Sequence, residues 1–194
     1  MISRPKVWFG SPHCLTTRII IALTLLKLAT APLSASEFSK EKKTELGKVL
    51  IDFQSIFTKK DYSRFADFMP PKVWTHIKVK SGISDQQLRN AFVKVVQDTF
   101  EKVELAEFSI NIVAATQHDL PNGEAYLLIP TRTKVVMPES GYAIFESQTL
   151  AFLDQDKWYL VRISDLQQQI FLKAAYPEFG AVEFPAQSEN YFKE

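Results

Sequence analysis

Tyr142-Ala143-Ile144-Phe145-Glu146-Ser147-Gln148-Thr149-Leu150-Ala151-Phe152-Leu153, then Asp154-Gln155-Asp156, then Lys157-Trp158-Tyr159-Leu160-Val161-Arg162-Ile163-Ser164, is the stretch that decides the fold. Both flanks are rich in β-branched and aromatic residues, and the acidic and amide triplet between them is a turn signal. Two strands joined by so short a link make an antiparallel hairpin. Upstream, Glu124 to Met137 reads as a further strand, bounded by Leu120-Pro121-Asn122-Gly123 and by Pro138-Glu139-Ser140-Gly141. Before it, Phe108, Ile110 and Ile112 alternate with Ser109 and Asn111, which predicts another.

The half of the chain before Glu104 has a different period. Leu46, Val49, Leu50, Phe53, Ile56 and Phe57 recur every three or four residues and predict a helix from about Lys40 to Thr58. Asp61 stands where a second helix would be capped, with Tyr62, Phe65 and Phe68 on one face. Pro70-Pro71 ends that segment and starts another, through Val73, Trp74, Ile77 and Val79 to Gly82. Ser84-Asp85-Gln86-Gln87 has capping-box spacing, and Leu88, Ala91, Phe92, Val95, Val96, Thr99, Phe100 and Val103 supply the stripe of the long helix after it. At the other end, Asp165 is placed to cap a short helix holding Leu166, Ile170, Phe171 and Ala174. From about Pro177 the tail mixes proline, aromatics and charge without a period, and suits docking on a partner, docking on the domain, or disorder. Helices first and a meandering antiparallel sheet afterwards make an α+β domain whose helices cover one face of the sheet.

Residues 1–35 carry Arg4, Lys6, Arg18 and Lys27, no acidic residue, and the apolar run Ile19 to Leu26. That pattern predicts an export signal cut after Ala35 or Ser36. The run is interrupted by Lys27, short of the about 20 apolar residues of a membrane span, so no stable span is expected after cleavage. The expected product is one domain over residues 36–194, exported to the periplasm, with 19 basic against 22 acidic residues and a formal charge of −3. Such a balance lacks the basic face that nucleic-acid binding needs. Cys14, the one cysteine, lies in the leader, so the mature domain has neither a disulfide nor a thiolate. His76 and His118, far apart and without cysteine, make no metal set, and no glycine-rich phosphate loop is present; no cofactor is expected.

The element order, with Phe57-Thr58-Lys59-Lys60-Asp61-Tyr62 near the start and Thr149-Leu150-Ala151-Phe152-Leu153 leading into Lys157-Trp158-Tyr159-Leu160 near the end, resembles the nuclear transport factor 2-like superfamily over most of residues 40 to 175. The resemblance implies three N-terminal helices laid into a curved antiparallel sheet of about four strands, with a cavity at the wide end and a short C-terminal helix. It also implies a choice among ligand carriers, protein-association modules and isomerases or dehydratases working through a cavity carboxylate or histidine. The short strand pair that often separates the second and third helices of that superfamily is missing here, and His76 to Gly82 is at best its remnant.

Strand parity places candidate residues. With Gln155 and Asp156 as one loop, Thr149 lies opposite Arg162 and Leu150 opposite Val161. With residues 138–141 as the other, Gln148 lies opposite Thr131 and Glu146 opposite Thr133. The face carrying Leu127, Ile129, Leu150, Phe152 and Val161 is then the helix side, and Thr131, Thr133, Glu146 and Gln148 form a polar patch on it, either at the mouth of a ligand cavity or open to solvent. The opposite face carries Tyr126, Phe145, Trp158, Leu160 and Arg162, an association surface for a homodimer or a protein partner. The functional expectation is a non-catalytic binding domain for a small apolar ligand or a protein partner. Its alternatives are a cofactor-independent isomerase or dehydratase using Glu146, or a structural subunit of an envelope complex. Trp74 and Trp158 are read first as packing residues and second as stacking platforms.

Overall fold

The computed structural model describes residues 38–137, 140–164 and 166–193. The leader, its cleavage position and the Asp165 cap lie outside the described residues. Helix α1 (Lys40–Lys59) opens at Ser39, whose hydroxyl accepts from the Lys42 amide, and ends where Lys60 turns left-handed at φ 55°. Its stripe buries Leu46, Leu50 and Ile56. A 3-10 turn, Tyr62–Arg64, runs into the one-turn helix α2 (Phe65–Phe68). Asp61 makes no side-chain cap there; its carboxylate accepts from the Ser63 hydroxyl instead. Helix α3 (Pro71–Ser81) starts on proline and stops at Gly82, and helix α4 (Asp85–Glu101) carries the capping box, with Ser84 and Gln87 bonding reciprocally. Four α-helices rather than three therefore precede the sheet among the described residues.

The sheet is a curled antiparallel half-barrel of six strands rather than four. Its strands are β1 (Glu104–Ile110), β2 (Thr116–Asp119), β3 (Ala125–Met137), β4 (Gly141–Asp154), β5 (Lys157–Arg162) and β6 (Ser188–Phe192). The order is β1-β3-β4-β5; β2 shares the β3 edge with β1, and β6 shares the β4 edge with β5. β1 ends at Ile110, because Asn111 caps a 3-10 turn over Ile112–Ala114; Ile112 is 41% exposed rather than on the sheet. Helix α5 (Leu166–Ala175) follows β5, and the tail, far from being without structure, makes a 3-10 turn at Pro177–Phe179 before β6.

The β4–β5 register is as expected, Thr149 facing Arg162 and Leu150 facing Val161 across a turn in which Gln155 and Asp156 both take positive φ. The β3–β4 register is not. Met137 pairs with Gly141, so the loop is one residue shorter than expected, and Gly141, at φ 94°, already belongs to β4. Thr131 consequently faces Ser147, Thr133 faces Phe145, Glu146 faces Arg132 and Gln148 faces Pro130. A slip of one residue turns every side chain of a strand to the other side.

The side of the sheet under α1 and α2 thus carries Leu127 and Ile129 from β3, Ala151 from β4, and Trp158 and Leu160 from β5, packed against Leu46, Leu50, Ile56 and Phe68. The other side carries Tyr126, Leu128, Leu150, Phe152 and Ile163, covered by Leu172 of α5 and by Tyr176 and Phe179 of the tail. Val161 packs with this second group, and α3 joins it through Val73. The expected assignment of faces is right for β3 and reversed for β4 and β5. Its physical cause is that both faces are buried, so neither reads as a wet one. Tyr176 fastens the second layer: its hydroxyl donates to Asp154 Oδ2 at 2.8 Å, and Lys72 of α3 stands 3.7 Å from the same carboxylate and 4.6 Å from the centre of the ring. Burial first, and the Asp154 carboxylate second, push the Tyr176 phenol far above its ordinary range.

Candidate functional site

Between the helices and the sheet a cavity of about 280 Å³ stays unfilled. Phe53 and Phe57 of α1, Phe65 of α2, Phe92, Val96 and Phe100 of α4 and Phe108 of β1 wall one part of it. Val73 and Ile77 of α3 with Phe171 and Leu172 of α5 wall the other. Helical spacing explains why so many rings converge: Phe53 and Phe57 are one turn apart on α1, and Phe92, Val96 and Phe100 repeat every four residues along α4. The rings brace one another. Phe57 stacks on Phe108 with centres 3.8 Å apart, Tyr62 stacks on Phe100 at 4.6 Å, and Phe53 meets Phe68 edge-on at 5.0 Å. Pairs of this kind contribute roughly 0.5–1.5 kcal/mol each beyond their burial. Three successive residues of β5, Leu160, Val161 and Arg162, touch the cavity, so it reaches the free edge of that strand as well as its face.

The polar lining is confined to one place. Thr149 faces Arg162 across β4 and β5, Thr131 lies diagonally from Thr149 on β3, and Gln168 adds to them from α5. Thr131 and Thr149 are 3% and 2% exposed; their hydroxyls are 2.7 Å apart, and Thr131 also donates to the Ile129 carbonyl at 3.1 Å. Arg162 is the one ionisable side chain among the described lining residues, and its Nη2 donates to Gln187 Oε1 of the tail at 3.2 Å. The Gln168 carbonyl oxygen accepts from the Ser164 amide and hydroxyl. Thr133 and Ser147 continue the row of hydroxyls on the same face; both are buried, and neither Oγ atom has a hydrogen-bond partner among the described residues.

The expected site residues are therefore divided. Thr131 and Thr133 lie on the helix side, Thr131 in the cavity wall. Glu146 is exposed and Gln148 half-buried on the other side, and they line a second recess with Arg132, with Pro185, Ala186 and Ser188 of the tail, and with Thr131 and Ser147. The partners that parity should have supplied on β4 and β5 are Ser147, Thr149 and Arg162. With Glu146 turned away, no carboxylate stands among the described residues of the cavity wall.

The expected association surface is also divided. Trp158, 3% exposed, lies under α1, where its indole nitrogen donates to the Lys42 carbonyl and its ring meets Phe38 at 4.9 Å. Leu160 is buried beside it. Tyr126 is buried on the opposite side, between the rings of His118 and Phe179. Phe145 is half-buried beside Tyr191 of β6. His76 packs against Phe171, and the His118 Nε2 lies 2.8 Å from the Thr116 hydroxyl, both outside the cavity wall.

The resemblance implies a cavity at the wide end of the cone, but from sequence the stripes of α1 and α4 read as core and none of their rings as its wall. The available signal was the recurrence of rings at helical spacing, Phe53 and Phe57 on one stripe and Phe92 and Phe100 on the other. Among the described residues no three His, Cys, Asp or Glu side chains gather as a metal set, and no helix is long and apolar enough to cross a membrane. In comparison with known proteins, no family model matches the chain, and neither a curated protein nor a solved structure matches it.

Proposed function

We propose that this chain is an exported, non-catalytic binding domain that holds a small apolar molecule between its helices and its sheet. The observation that carries the reading is the cavity itself, walled by phenylalanine rings, with its polar side chains gathered at one end. Small-molecule sites are mostly apolar with a few convergent polar groups, and their volumes run from roughly 300 Å³ upward, so this one suits a compact ligand. The order of helices and curled sheet supports kinship with the nuclear transport factor 2-like cone, in which the same space serves carriers and enzymes. Of those two uses carriage is favoured, because the carboxylate put forward for proton transfer, Glu146, is exposed on the other side of the sheet. Export rests on the basic and apolar leader of residues 1–35.

The test uses N-phenyl-1-naphthylamine, a neutral dye whose emission rises on leaving water. Saturable enhancement is expected, and Val96→Trp, which places an indole in the space, should weaken it about tenfold or more with the far-ultraviolet circular dichroism unchanged. Equal binding by the two proteins, or none by either, would overturn the proposal. Native mass spectrometry of protein purified from its own host gives the ligand mass directly.

A further inference from the structure

Resting on the binding reading above, the hydrogen bonds of the wall point to the class of ligand: we propose that the cavity selects a neutral molecule ending in a hydrogen-bond donor, an apolar alcohol whose body lies among the rings and whose hydroxyl donates to the Thr131–Thr149 pair. The walls divide the space by polarity. Everything drawn from α1 to α4 and from β1 is apolar, whereas the polar side chains come from the sheet and from α5. A ligand polar throughout would face the phenylalanines. An apolar body with one polar end fits both parts.

The protons at that end decide the head. Thr131 spends its hydroxyl proton on the Ile129 carbonyl at 3.1 Å, so across the 2.7 Å contact Thr149 is the donor. Both protons are then committed, and what the pair still offers is acceptor capacity: among the described residues Thr149 keeps both of its lone pairs and Thr131 keeps one. Setting such oxygens against hydrocarbon, or against a second acceptor, forfeits the hydrogen bonds that water would give them. A carboxylate or an ether oxygen brings no proton. An ammonium brings protons together with a charge that no carboxylate among the described lining residues compensates. A hydroxyl brings one proton and no charge. Its oxygen can also accept, so it sits without conflict beside Arg162, whose Nη2 is engaged by Gln187. Thr133 and Ser147 continue the row outside the cavity wall and leave this balance unchanged.

The experiment is competition against bound N-phenyl-1-naphthylamine by 1-decanol and by 1-methoxynonane, which match in heavy atoms and differ in the O–H, with decanoate as the charged comparison. Hydrophobicity alone favours the ether, which has no O–H to strip of water. Decanol should nevertheless displace the dye at a concentration about fivefold lower than the ether or less, and the double variant Thr131→Val with Thr149→Val should abolish the difference by weakening decanol alone. Thr131→Val by itself frees the Thr149 proton and should narrow the gap from the other side, by strengthening the ether. In the wild type, displacement by the ether at an equal or lower concentration than decanol, or by decanoate at a lower one, overturns the inference and leaves the cavity reading standing. A preference for decanol that persists in the folded double variant overturns it as well. Absence of saturable dye binding removes the cavity reading, and this inference with it. Should the double variant fail to fold, the wild-type comparison decides by itself, and an unchanged preference in Thr131→Val counts against the proposed position of the hydroxyl.

Discussion

Replacing Gly141 by alanine is the sharpest test of how the tail is seated. Gly141 has φ 94°, and a methyl group built on it would meet the Phe192 carbonyl oxygen at 2.0 Å and the Lys193 Cα at 2.9 Å. Carbon atoms in real structures do not come within 3.0 Å of such neighbours, so β6 must retreat by about 1 Å. The Tyr142–Phe192 pair of the ladder would not survive that shift, because backbone hydrogen bonds weaken steeply beyond about 3.2 Å. Two terms follow. The backbone strain of a side chain at this φ destabilises by about 1–3 kcal/mol. Loss of β6 adds little, since all five of its residues are exposed, and ladder bonds of about 1 kcal/mol each are nearly offset by ordering entropy of about 1–2 kcal/mol per residue. Urea denaturation should therefore show a loss of about 1–3 kcal/mol, nearly equal in the full chain and in a chain ending at Gln187. Hydrogen exchange should show amides 142–146 and 188–192 opening in the variant. Unchanged exchange at 188–192 in Gly141→Ala would refute the seating of β6 and the reasoning built on it.

The burial of both sheet faces predicts that Leu150→Ala and Leu160→Ala, on opposite sides, each lower stability by about 2–5 kcal/mol in urea; a loss near zero for either marks that side as wet. Tyr176→Phe removes a hydrogen bond to a largely buried carboxylate and should reduce stability by about 1.5–3 kcal/mol, with under half of that showing that the Asp154 contact carries no weight. Asp52 is held below its ordinary value of 3.8, chiefly by the hydrogen bonds that Arg64 donates to it. A lowered carboxylate stabilises above its unfolded value and ceases to as pH falls through the folded one. Asp52→Asn should therefore be the less stable protein near neutral pH, and the gap should close on acidification below 3.8 in chemical denaturation; a gap that widens in acid would contradict the pair.

The elements with strong local chemistry were legible from sequence. The capping box of Ser84 and Gln87, the left-handed stop at Gly82 and the Gln155-Asp156 turn each leave a residue pattern, and the structure has all three. β2 and β6 left none. Thr116-Gln117-His118-Asp119 is a polar edge segment without alternation, and Ser188 to Phe192 buries no side chain, so pairing there is made by backbone atoms that every residue possesses. The facing of β4 was lost for another reason: Leu150, Ala151 and Phe152 are all buried, and a run that is apolar on both parities cannot say which side the helices take. Arg162 was legible as a charged residue in a strand and illegible as a cavity residue, because its place depends on the loop at 138–140, one residue shorter than the turn signal suggests.

The placement of the two described tryptophans gives the molecule its own pair of optical gauges. Trp158 is clamped between β5 and the first turn of α1 by the Lys42 carbonyl and the Phe38 ring, so its emission follows undocking of the amino-terminal helix. Trp74 sits edge-on to Phe92 at 5.4 Å, in contact with the wall that α4 contributes, and donates to the Ala66 carbonyl. Exchanging either indole for phenylalanine isolates the signal of the other, which separates motion of the cavity wall from fraying of the chain's beginning within a single cuvette.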